Sequence, residues 1–117
     1  MHEYKKLNVW QESVNLVTEI YLLTKSFPDS EKFGLVSQIN RSAVSIPSNI
    51  AEGAGRSSKK EFILFLTYAA ASSFELETQL IIANNLKFIS NKQKEEKINT
   101  LNIIQRKIHS LIKSLKK

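Results

Sequence analysis

Apolar residues in this chain recur at steps of three and four in four separate stretches, and each stretch is bounded by a short polar break. That spacing is the period of an α-helix, and no segment alternates convincingly as a strand. A helix with an apolar stripe must bury it against a neighbour. Connections of a few residues, around Phe27–Asp29, Gly53–Ser58 and Leu86–Ser90, favour antiparallel neighbours. The pattern predicts an all-α protein, an up-down-up-down antiparallel four-helix bundle forming one domain over residues 1–117. Three Gly and two Pro are too few for a turn-rich β protein.

The predicted helices cover about 8–26, 30–54, 58–86 and 90–116. In the first, Leu7, Trp10, Val14, Val17 and Tyr21 form one stripe, while Val9, Leu16, Ile20, Leu23 and Phe27 form another. A bundle core needs one, so the surplus stripe predicts a contact with a second copy. Asn8 with Gln11 reads as a capping pair. The second helix carries Val36, Ile39, Ala43, Ile46, Ile50 and Ala54, starts near Asp29–Ser30 and ends at Gly53 and Gly55 as C-terminal caps. Pro47 inside its seam predicts a kink. The third opens on a capping box, Ser58 with Glu61, and buries Phe62, Leu66, Ala69, Ser73, Leu76, Leu80 and Ala83. Its middle, Ala69 to Ser73, is thin enough to admit a neighbouring backbone. The fourth opens on Ser90 with Gln93 and carries Ile98, Leu101, Ile104, Ile108, Leu111 and Leu115.

Several chemistries find no residues here. Without Cys there is no disulfide, thiolate metal site or cysteine nucleophile. His2 and His109 stand far apart and without Glu-x-x-His spacing, so no metal and no cofactor is expected. No Gly-x-Ser-x-Gly turn appears. Glu52 to Ser57 lacks the Gly-Lys-Ser/Thr ending of a phosphate loop. Glu75 with Glu77, and Glu95 with Glu96, stand one or two apart and do not face each other. No catalytic residue is assigned, and no small-molecule substrate. No apolar run reaches the length of a membrane span and the N-terminus lacks a signal-like stretch, so a cytoplasmic protein is expected.

Two polar patterns remain. Gln38, Arg41, Ser45, Asn49 and Glu52 form a stripe beside the apolar seam of the second helix, and Glu61, Tyr68, Ser72, Glu75 and Gln79 form another on the third. These stripes are either solvated faces or hydrogen bonds between helices or subunits. The charge is lopsided as well. Residues 87–117 hold nine Lys or Arg against Glu95 and Glu96, a net of +7, whereas residues 1–86 net −1. Arg106, Lys107, Lys113, Lys116 and Lys117 make the fourth helix the expected phosphate-binding face. No aromatic residue is interleaved there, so base stacking is not expected.

The run Gln38-Ile39-Asn40-Arg41-Ser42-Ala43-Val44-Ser45-Ile46-Pro47-Ser48-Asn49-Ile50-Ala51-Glu52-Gly53 resembles the signature of the proteins encoded in intervening sequences of bacterial 23S rRNA genes. Val9-Trp10-Gln11, Phe27-Pro28 with Glu31, Gly55-Arg56, Lys60-Glu61-Phe62 and Ser73-Phe74-Glu75-Leu76-Glu77 extend the similarity along nearly the whole chain. Lys87 and Phe88 depart from it, standing where the family commonly has Gly and Tyr in a turn. The resemblance implies a four-helix bundle, a homopentameric ring and no known enzymatic activity. It also implies kinship with the accessory determinant of diversity-generating retroelements, a basic ring that contacts reverse transcriptase and nucleic acid. The expected function is a non-enzymatic ring that binds RNA or a ribonucleoprotein. The alternative is a scaffold for an acidic protein partner.

Overall fold

A computed structural model describes residues 2–117, and among them the apolar stripes converge on a single core. Four α-helices are present among the described residues: α1 (Asn8–Thr24), α2 (Leu35–Ala54), α3 (Lys59–Asn85) and α4 (Asn91–Leu115). Val9, Leu16, Ile20, Leu23 and Phe27 are all buried. So are Ile39, Ala43, Ile46, Ile50 and Ala54 of α2, the whole predicted stripe of α3, and Leu101, Ile104, Ile108 and Leu115 of α4. The protein is an all-α bundle. The second stripe of α1 divides: Leu7, Trp10 and Val17 pack against the core, whereas Tyr21 is exposed.

Each helix packs on the next in the chain, and α4 returns to α1. Contacts across every pair run in opposite chain order. Thr24 meets Asn40 while the His2 N–H donates to the Ala54 carbonyl; Ser45 meets Ser72 while Gly53 meets Phe62. Asn84 bonds Asn91 while Glu77 bonds Gln105, and Glu19 pairs with Lys97 while Glu12 pairs with Lys107. The molecule is 45 Å long, with the start of α1, the end of α2, the start of α3 and the end of α4 at one end.

Four local expectations are corrected. The second helix begins at Leu35, because Asp29–Glu31 closes a separate 3-10 turn. Glu31 then folds back, and its Oε1 accepts the Leu35 N–H at 3.2 Å, capping α2 from four residues upstream. At α1 the residue before the helix is Leu7, which has no capping side chain, and the Gln11 Nε2 donates to the Lys5 carbonyl instead. Neither Gly53 nor Gly55 adopts a left-handed conformation. Gly53 lies inside α2, where a Cβ would stand 2.7 Å from the Phe65 Cβ and 3.2 Å from the Phe62 carbonyl oxygen. Close approach of α3 is what demands glycine there. The capping box at Ser58 is half formed: its Oγ accepts the Glu61 N–H, without the reciprocal bond. That at Ser90 is complete, since Ser90 Oγ accepts from Gln93 and Gln93 Oε1 accepts the Ser90 N–H.

The turn between α3 and α4 contains the single positive φ among the described non-glycine residues, 68° at Lys87. The Phe88 N–H donates to the Ala83 carbonyl and the Lys87 N–H to the Asn84 carbonyl. That pair of bonds is the Schellman motif, whose left-handed position favours glycine. The departure from the family pattern thus falls on the residue where glycine has its conformational use.

Candidate functional site

The polar stripe of α2 is divided between interior and surface. Gln38, Arg41 and Glu52 are exposed, whereas Ser45 and Asn49 are half-buried against α3. The Ser45 and Ser72 hydroxyls are 2.8 Å apart, and the Asn49 Nδ2 donates to both the carbonyl and the hydroxyl of Ser45. The small residues at the middle of α3 permit this approach, because a longer side chain at Ser72 would hold the helices apart. Pro47 is buried within α2. Beside the serine contact, a groove of about 340 Å3 runs between Gln38, Arg41, Glu75 and Gln79. Gln79 is 8% exposed, and its Oε1 has no hydrogen-bond partner among the described residues.

The basic residues are also redistributed. Lys107 forms an ion pair with Glu12 of α1, and Lys97 pairs with Glu19 at 2.8 Å. Lys107 is therefore paired with α1, while its side chain stays partly exposed. Arg106, Lys113, Lys116 and Lys117 are exposed and make no ion pair among the described residues. The antiparallel arrangement brings Lys5, Lys6, Lys59 and Lys60 to the same end, all exposed. The half built from residues 2–16, 45–72 and 103–117 carries ten Lys and Arg against four carboxylates; the other half carries seven against seven. All of the net charge of +6 therefore sits at one end. Arg56 there is balanced by Glu52 and Glu61, at 3.4 and 3.7 Å. The expectation of a basic fourth helix missed the contributions of the other segments. Lys5, Lys6, Lys59 and Lys60 flank helix starts, so the alternating topology carried the signal.

The fourth helix itself carries no aromatic, but one stands beside its basic face on another helix. Phe74 of α3 is 54% exposed and shares a groove with Arg106 and His109 of α4. Inspection of α4 alone misses it because it arrives from another helix. Among the described residues no group of three His, Asp or Glu is placed to hold a metal ion. No helix there is long and apolar enough to cross a membrane.

The model of the 23S rRNA-intervening sequence protein family matches residues 5–110, nearly the whole of the four helices. The chain belongs to that family. A crystal structure of a protein of unknown function from the S23 ribosomal protein family of Bacteroides thetaiotaomicron is 30% identical, with a TM-score of 0.84. The similarity covers 90% of this chain and 95% of that one. No curated protein matches the sequence. For this member of the intervening-sequence family, the match reaches from Lys5 to Ser110 and leaves the last cations, Lys113, Lys116 and Lys117, beyond it.

Proposed function

We propose that this protein is a non-enzymatic, ring-forming helical bundle, a homopentamer in the cytoplasm, that binds RNA or a ribonucleoprotein through its basic end. The observation that supports the reading is the concentration of the whole net charge in one half of a 45 Å rod. Flexible cations spread over three chain segments suit a phosphate backbone, which repeats its charge without demanding one geometry. Ring assembly would multiply the patch and raise avidity for a strand that reaches several copies. The helix α3 supports the assembly. Leu64, Tyr68, Ala71 and Ile82 recur along its outer side and are all exposed, so this helix shows apolar side chains outside the core as well as within it. A helix of that kind is normally covered.

Mobility shift with single-stranded and structured RNA across a salt series tests the function. With about four phosphates engaged per patch, log K falls against log salt with a slope of about −3. Replacing Lys59, Lys60, Lys113 and Lys117 with Gln removes as many cations and flattens the slope towards zero while leaving the fold intact. An unchanged slope in this variant refutes the basic end as the site. Absence of RNA binding at low salt, together with binding to polyglutamate, would assign the charge to an acidic protein partner instead.

A further inference from the structure

We propose that the groove between α3 and α4 is a nucleobase subsite, in which one base of a single-stranded RNA stacks on Phe74 while its phosphate meets Arg106. The inference rests on the RNA reading above and adds a specific contact to a face that otherwise offers only charge. The groove measures about 280 Å3 and is lined by Ala70, Phe74, Asn102, Gln105, Arg106 and His109. It has the three parts such a site requires. Phe74, 54% exposed, offers an aromatic face, and Ala70 beside it is small. Arg106 is exposed and has no ion-pair partner among the described residues. Its guanidinium is left to a phosphate, with His109 at the same rim.

Amides supply the polar edge. The Gln105 Nε2 donates to the Glu77 Oε1 at 3.0 Å, which fixes the side chain and leaves its carbonyl oxygen free to accept from a base amino group. Asn102 is half-buried in the same wall, and its side chain makes no hydrogen bond among the described residues. Both a donor and an acceptor are therefore open to a base edge. The groove also lies where the basic half of the bundle begins, so a strand tracking Lys113 and Lys117 passes its mouth.

Titration with uridine and adenosine 5′-monophosphate, against ribose 5-phosphate as a base-free control, tests the site without requiring RNA. The nucleotides should shift the NMR signals of the Phe74 ring and His109, and ribose 5-phosphate should leave the Phe74 ring unmoved. In parallel, Phe74→Leu should weaken single-stranded RNA binding at least about fivefold, because stacking on an aromatic contributes on that scale. Phe74→Tyr should bind as the parent does. If RNA binds with the expected salt slope but Phe74→Leu matches the parent and no nucleotide shifts the ring, the subsite is refuted while the basic end stands. If nucleotides shift the ring but RNA does not bind, the subsite stands and the RNA reading falls. Loss of oligomeric state in Phe74→Leu by sedimentation, with nucleotide binding kept, would make Phe74 a subunit contact and overturn the proposal.

Discussion

Gly53 and Lys87 show how a single residue's stability effect depends on its surroundings. Alanine is the better helix former by about 1 kcal/mol, so propensity alone favours Gly53→Ala. A Cβ at 2.7 Å from Phe65 and 3.2 Å from a backbone oxygen reverses that sign, since α2 and α3 would have to separate. Overpacking of this kind costs about 1–3 kcal/mol. The expected outcome for Gly53→Ala is a net loss of up to about 2 kcal/mol in urea denaturation, with the m-value unchanged. Lys87 predicts the opposite. Its left-handed conformation is unfavourable for a residue with a Cβ by about 1 kcal/mol, so Lys87→Gly should raise stability by about that amount. A lower denaturation midpoint in Lys87→Gly would contradict the Schellman reading. Asn49→Ala should cost no more than about 1 kcal/mol, less than a fully buried partner would imply, because Ser45 keeps the Ser72 hydroxyl.

Between elements, charge pairs α4 with α1 as well as with any ligand. Glu12 and Glu19 stand seven residues apart on one helix and meet Lys107 and Lys97 on the other. Both pairs are partly solvated, so each contributes less than about 1 kcal/mol and weakens further in salt. Glu12→Gln would release Lys107 to solvent at the basic end. The expected result is a stability loss below about 1 kcal/mol by thermal melting, together with an RNA salt slope steeper by about 0.7. An unaltered slope would show that Lys107 lies out of reach of the strand. Packing decides the neighbouring pair instead: α2 lies on α3 through Ser45, Ser72 and Gly53, where small side chains leave room for closeness.

At the scale of the whole molecule, a basic end and the exposed apolar residues of α3 face different tasks. The outer side of α3 offers Leu64, Tyr68 and Ile82 to water, which a lone helix in a bundle gains nothing by exposing. Native mass spectrometry at micromolar concentration should show an assembly, expected as a pentamer. Ile82→Lys should shift it towards folded monomer, because a cation would have to be desolvated at the contact. Monomer in the parent protein would refute the ring. Retention of the assembly in Ile82→Lys would move the contact elsewhere, with the exposed Tyr21 and Leu22 of α1 as the next surface.

Helical periodicity determined the core: Leu16, Ile39, Leu66 and Ile104 announce their burial by spacing, because an apolar stripe on a helix has one stable use. The capping box at Ser90 was equally legible, being a contact three residues long. Other features depend on which helices meet, and spacing within one helix does not encode that. Glu31 as the cap of α2, Gly53 as a site of close packing and the pairing of Lys107 with Glu12 all rest on a neighbour's position. So does Phe74, invisible from α4 until α3 is laid beside it. Charge counted along the chain located one basic segment; charge counted in space gathered three, because antiparallel packing returns alternate helix ends to one place.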